Sequence, residues 1–131
     1  MIQGFSHVAF SVRRLDAAID FYVRILGFTL SWRNEETAYL SSVAASIVLI
    51  ESEDAIALPP GDSGHTAFVV PSEFLGILEA ALQGGQNHYW QQETQLSRSI
   101  YCFDPDKHKL ELFATASLVD KSCVRVNFAP T

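Results

Sequence analysis

The sequence predicts an α+β fold in which two tandem βαβββ modules form a curved mixed sheet around a concave cleft. Three observations predict it. His7-Val8-Ala9-Phe10-Ser11-Val12 and His65-Thr66-Ala67-Phe68-Val69-Val70 share the pattern His-x-Ala-Phe-x-Val, 58 residues apart in a chain of 131. A self-similar period of roughly half the chain marks a tandem of similar supersecondary units. Each copy is followed by a short polar stretch and an apolar pattern of helical period. Each helical pattern ends at glycine and gives way to three short runs that read as strands.

The elements follow in order. Residues 5–12 alternate, with Val8, Phe10 and Val12 on one face and His7, Ala9 and Ser11 on the other, as in a half-buried strand. Leu15, Ala18, Ile19, Tyr22, Ile25 and Leu26 form a helical stripe over 15–26, and Gly27 is placed to end it. Residues 28–33, 38–42 and 46–51 read as strands, with a polar turn around Asn34-Glu35-Glu36 after the first. Module one therefore spans 1–52. A linker, 53–63, contains Pro59-Pro60-Gly61-Asp62. Module two, 64–114, repeats the order. A strand over 65–70 leads to Ser72, the expected N-cap behind Pro71. Phe74, Ile77, Leu78, Ala81 and Leu82 form the stripe that Gly84-Gly85 closes. Strands over 87–91, 97–103 and 109–113 follow, the last two joined by the turn residues Asp104-Pro105-Asp106-Lys107. The tail, 115–131, is weakly patterned, with a short helix expected over 116–124.

Composition bounds the function. With 48% apolar and 18% charged residues the chain is globular, and its length suits one domain with a real core. The net charge is −6, and the nine Lys and Arg are scattered apart from Arg13-Arg14. Nucleic acid is thus not the expected partner, since phosphate binding needs clustered cations. No apolar run reaches 18 residues, so no membrane partner is expected either. The N-terminus shows no signal-peptide pattern, and the expected location is cytoplasmic. There Cys102 and Cys123, which form no CxxC pair, are expected to be free thiols.

The alternation also places a candidate site. If Val and Phe of each hexapeptide pack beneath the helices, His7 and His65 face the cleft. In Lys109-Leu110-Glu111-Leu112-Phe113 the leucines take the core face, so Glu111 takes the cleft face as well. Two neutral imidazoles and a carboxylate suit a divalent ion such as Mn²⁺, Fe²⁺, Ni²⁺ or Zn²⁺, with positions open for substrate. A lone strand histidine is ordinarily hydrogen-bonded structure. Two at the same point of a repeat, with a glutamate in phase, favour the metal. Glu51 follows His7 by 44 residues as Glu111 follows His65 by 46, which makes it a candidate fourth ligand against the ordinary reading of an exposed strand-end acid. His88 has no such support, and His108, in phase with Leu110, reads as structural.

Four segments carry a resemblance that covers essentially the whole chain. They are residues 4–12, residues 18–28 (Ala-Ile-Asp-Phe-Tyr-Val-Arg-Ile-Leu-Gly-Phe), residues 64–68, and residues 99–112 with Ser-x-Tyr-x-x-Asp-Pro-Asp-x-His-x-Leu-Glu. On these the chain resembles the vicinal oxygen chelate superfamily, which includes glyoxalase I, extradiol dioxygenases, bleomycin-binding proteins and fosfomycin-resistance enzymes. The last stretch is most similar to the fosfomycin-resistance branch.

That resemblance implies Mn²⁺ held by His7, His65 and Glu111, acting as a Lewis acid on an epoxide or similar small electrophile. It implies glutathione or another thiol, or water, as the group that opens the ring. It implies substrate contacts from Ser99 and Tyr101, and a catalytic Tyr39 near the thiol path. It further implies a homodimer that exchanges modules, each site taking His7 from one chain and His65 and Glu111 from the other. The branch pattern is altered at several positions: Ala9 replaces Thr, Gln91 replaces Lys, Gln95 replaces Ser, Lys107 replaces the turn Gly, and Asp120 falls where an Arg is expected. Gln91 remains in the expected substrate set, with Arg98 there as a compensating cation, alongside Lys121 or Arg125 in the tail. Lys107 implies a different turn conformation. A glyoxalase I-like isomerase is an alternative and would use Glu51 as a ligand. An extradiol dioxygenase shares the two-His, one-Glu set. A metal-free, bleomycin-type drug-binding protein would instead stack a planar cation on Trp32, Trp90 or Tyr39.

Overall fold

Alternation becomes strand and the 3.6-residue period becomes helix in the same order in both halves of the chain. The computed structural model describes residues 1–55 and 64–115. The expected Pro59-Pro60-Gly61-Asp62 linker, the 116–124 helix, Asp120, Lys121, Cys123 and Arg125 lie outside the described residues. The chain divides into two units. The first runs to Gly64 and also takes in Phe103–His108; the second comprises His65–Cys102 and the chain from Lys109 onward.

The first unit holds β1 (Val8–Val12), α1 (Leu15–Asp20) continued by a π-helical turn (Phe21–Ile25), β2 (Thr29–Arg33), β3 (Thr37–Ser41) and β4 (Ser46–Glu51). Its sheet has the order β1-β4-β3-β2, with β1 parallel to β4 and the remaining pairs antiparallel. Val12, Leu15, Ala18, Tyr22, Leu40, Ile47 and Leu49 form its buried core, so the expected strand face and helix stripe meet. In the π-helical turn the Leu26 N–H donates to the Phe21 carbonyl, and Phe21 and Tyr22 are buried side by side. Gly27, at φ 80°, takes the left-handed conformation that ends the helix.

The second unit repeats the topology with β5 (Thr66–Val69), a 3₁₀ turn (Ser72–Phe74), α2 (Leu75–Gly84), β6 (Tyr89–Glu93), β7 (Ser97–Phe103) and β8 (Lys109–Thr115). Its sheet order is β5-β8-β7-β6, with β5 parallel to β8. The fold is therefore α+β, two four-stranded mixed sheets from two βαβββ repeats. One helix face differs from the expectation. Ser72 opens a 3₁₀ turn and makes no side-chain cap, and this tighter turn re-phases the helix behind it. Leu75, Leu78 and Leu82 are buried, while Phe74 and Ile77 stay exposed.

The turn between β7 and β8 groups with the first unit for a local chemical reason. Asp104 has no exposed side-chain surface. Its Oδ1 accepts the backbone N–H groups of Asp106 and His108 at 2.9 and 2.8 Å. Its Oδ2 accepts the Tyr22 hydroxyl at 2.8 Å and lies 2.7 Å from His108 Nδ1. Asp106 accepts the Arg13 backbone N–H at 2.9 Å and its Nε–H at 3.2 Å. The His108 ring packs 4.6 Å from Phe10, the structural role expected of it. Lys107, at φ 69°, takes the left-handed conformation that favours glycine. No helix among the described residues is long and apolar enough to cross a membrane.

Candidate metal centre

In the second unit the β5–β8 register sets Ala67 beside Glu111, and His65 stands two residues before Ala67 on the same strand parity. The result is a direct contact: His65 Nε2 lies 2.9 Å from Glu111 Oε1. The other carboxylate oxygen, Oε2, accepts the Ser99 hydroxyl at 2.6 Å. The Glu111 side chain is mostly covered, with 13% exposed, whereas His65 opens 32% of its side chain to solvent. Ser99 and Tyr101 alternate with the buried Ile100 and Cys102 on β7, so the buried pair packs toward the core and Ser99 and Tyr101 take the Glu111 face. The Tyr101 ring meets the His65 ring edge-on at 5.7 Å. Burial first, then the negative charge of Glu111 and a hydrogen bond to it, push the Tyr101 phenol above its ordinary value. The Tyr101 phenol thus keeps its proton at neutral pH and directs it at Glu111.

At 2.9 Å, His65 Nε2 and Glu111 Oε1 are within hydrogen-bond distance of each other. An imidazole nitrogen and a carboxylate oxygen are both donor types that a divalent ion takes, so the pair could contribute two ligands. Ser99 fixes the carboxylate rotamer that presents Oε1, the role an outer hydrogen bond plays at metal sites. Among the described residues no three His, Cys, Asp or Glu side chains gather as a metal cluster, so His65 and Glu111 stand as a pair.

The first unit carries its own part of the expected set. His7 precedes β1, and its Nδ1 lies 2.9 Å from Ser6 Oγ. Both line a cavity of about 270 Å³ with Tyr39, Ser31, Ser41 and Val48. Tyr39 is 47% exposed, and its ring lies 5.5 Å from Trp32.

Three expected residues are engaged elsewhere. The β1–β4 register sets Ala9 beside Val48, just as Ala67 sits beside Glu111. The module-one counterpart of Glu111 is therefore Val48, and Glu51 stands three residues beyond it. Counting from each histidine misplaces the pair because the connections in the two modules differ in length. Glu51 Oε2 instead accepts the Leu15 N–H at 2.8 Å, capping the first turn of α1. Gln91 pairs with Ile100 and Arg98 with Glu93, so both take the sheet face opposite Ser99 and Tyr101.

Two further groups lie on the Glu111 face: Lys109, outside the expected set, and Trp90, expected only as a stacking surface for a planar cation. Trp90 pairs with Tyr101 across β6 and β7, and their rings stack at 5.3 Å and 8°. Lys109 Nζ sits 5.3 Å from the Tyr101 ring centroid and 5.7 Å from that of Trp90. The signal for Lys109 is its period-2 phase with Glu111. For Trp90 it is spacing: Trp32 and Trp90 each follow their histidine by 25 residues, and each pairs with a tyrosine across the sheet.

Comparison with known proteins places these features. The family model described as the Glyoxalase/Bleomycin resistance protein/Dioxygenase superfamily matches residues 4–112. The chain is 33% identical over 114 residues to Glutathione transferase FosA of Serratia marcescens, covering 86% of this chain and 81% of that one. It is 32% identical over 131 residues to Metallothiol transferase FosB of Bacillus licheniformis, covering 92% and 80%. Among solved structures, a mutant of the fosfomycin resistance protein FosX from Listeria monocytogenes, complexed with Mn(II) and 1S,2S-dihydroxypropylphosphonic acid, shares the fold. Its TM-score is 0.77 at 22% identity, covering 89% of this chain and 94% of that one.

Proposed function

The chain belongs to the Glyoxalase/Bleomycin resistance protein/Dioxygenase superfamily, and from that premise we propose that it is a metal-dependent enzyme of the fosfomycin-resistance type, opening an epoxide or similar small electrophile with a thiol such as glutathione. The observation that carries this reading is the His65–Glu111 pair at 2.9 Å with Ser99 locking the second carboxylate oxygen. In it, His7, His65 and Glu111 hold a divalent cation, Mn²⁺ first. The metallothiol-transferase relatives and the Mn(II)-bound FosX neighbour support that choice. The cation supplies Lewis acidity toward the substrate oxygen.

The chain's own residues do the rest. Glu111 contributes the negative charge, and Ser99 keeps its second oxygen from swinging away. Tyr101, held protonated, turns its O–H from Glu111 to the electrophile's oxygen once Glu111 is taken up by the cation. Tyr39, in the first-unit cavity with His7, receives the thiol and orients it. The sulfur forms a bond to an epoxide carbon and the bond from that carbon to oxygen breaks. The oxygen ends as a hydroxyl, with the proton that the thiol gave up. A homodimer in which His7 comes from a second copy completes each site. Val48 at the fourth-ligand position favours this chemistry over a glyoxalase-like isomerisation, which needs a carboxylate there.

The test is turnover of fosfomycin, and of uncharged epoxides, with glutathione and Mn²⁺. The reading expects a thiol adduct that requires the metal and vanishes in Glu111→Gln. Metal-independent binding of a planar cationic drug, without turnover, would replace it with a sequestering role.

A further inference from the structure

We infer that Lys109 is the anion-binding group of this site, gripping a phosphonate- or phosphate-like group on the substrate beside the His65–Glu111 pair; the inference rests on the metal-site reading above. Lys109 and Glu111 are two residues apart on β8 and so share a sheet face, while Leu110 and Leu112 are buried on the other. The ammonium sits over the stacked Trp90 and Tyr101 rings, 5.7 and 5.3 Å from their centroids. Tyr101 in turn touches His65 edge-on. The two ring faces attract the ammonium and hold it on this side of the sheet. Among the described residues no carboxylate lies within ion-pair distance of it, although Glu111 is on the same strand face. An ammonium positioned over two rings, with no ion-pair partner among the described residues, is suited to receive an anion from outside.

The alternatives for this role are placed poorly. Gln91 is neutral, and both it and Arg98 take the opposite face of the sheet. Lys109 therefore supplies a positive charge on the face that carries Ser99, Tyr101 and Glu111. Its chemistry selects substrates that bear a compact, multiply charged oxyanion near the reacting oxygen. Uncharged electrophiles forgo the contact.

The experiment is titration of the Mn²⁺-loaded full chain with methylphosphonate, comparing the wild type with Lys109→Met and Lys109→Arg. Loss of a charge-assisted contact predicts methylphosphonate binding weakened about tenfold or more in Lys109→Met. Lys109→Arg should stay within about threefold, since the charge remains. Mn²⁺ binding should not be weakened in either variant, since taking away a like charge on the same face can only favour the cation. Lys109→Gln replaces the Met variant if that one fails to fold. Unchanged methylphosphonate binding in the charge-removed variant, with Mn²⁺ still bound, overturns the inference and leaves the metal site standing. If the wild type binds no Mn²⁺, the metal-site reading falls. The same titration on the metal-free protein then decides Lys109 alone: charge-dependent binding upholds it, and charge-independent or absent binding overturns it.

Discussion

Glu111 is held by both of its oxygens, one against His65 and one by the Ser99 hydroxyl, and that double restraint sets the residue-scale expectations. A Ser hydroxyl has one proton to give, and here Glu111 takes it. Ser99→Ala should therefore weaken Mn²⁺ binding by roughly ten- to a hundredfold, the usual cost of removing an outer hydrogen bond at a metal site. An unchanged metal affinity in that variant, with weakened substrate binding, would return Ser99 to the substrate-contact role the family resemblance gives it. Lys107 makes a separate prediction. A Cβ at φ 69° is strained by about 1 kcal/mol, partly offset by the greater chain entropy a glycine loses on folding. Lys107→Gly should raise stability by roughly 0.5 kcal/mol, seen as a higher urea midpoint at unchanged slope. A lower midpoint would mean that the lysine side chain stabilises the turn.

At the scale of elements, two carboxylates pin structure. Glu51 caps α1 through the Leu15 N–H, so Glu51→Ala should cost about 1 kcal/mol of stability and leave Mn²⁺ binding untouched. Loss of metal in that variant would restore Glu51 as a ligand. Asp104 ties the β7–β8 turn to Tyr22, and Tyr22→Phe should cost about 1–3 kcal/mol, because it leaves a fully buried carboxylate short of a donor. Much of this layer is legible in the sequence. Strand positions and faces follow from alternation, which is local, so the shared phase of His7 with Ala9 and of Glu111 opposite Leu110 and Leu112 can be read directly. What is not legible needs geometry beyond one element. Counting matches Glu51 to Glu111, and connections of unequal length move the true counterpart to Val48. Gln91 looks like a site residue until its cross-strand partner is known, and one residue of register decides the face. Phe74 and Ile77 fall on the expected helix stripe because a 3₁₀ turn is silent in a 3.6-residue pattern. Lys109 needs no more than the phase argument that places Glu111.

For the whole molecule, the duplication supplies two related sheets, of which the second carries a histidine with its carboxylate and the first a histidine with Val48 in the matching place. A homodimer that shares ligands between copies makes a sharp expectation. Mixed dimers refolded from His7→Ala and Glu111→Ala chains should recover one working site each, because one site then draws His7 from the Glu111→Ala chain and the other two ligands from the His7→Ala chain. Ligand sets confined to single chains would leave every site broken and give no recovery. Beneath all of these expectations lies the metal itself. The most direct test is Mn²⁺ titration calorimetry on the metal-stripped protein, with His65→Ala as the control. The account predicts one ion bound per chain and no binding in the variant. Absence of binding in the wild type, for Mn²⁺ and then for Zn²⁺ and Ni²⁺, would contradict it.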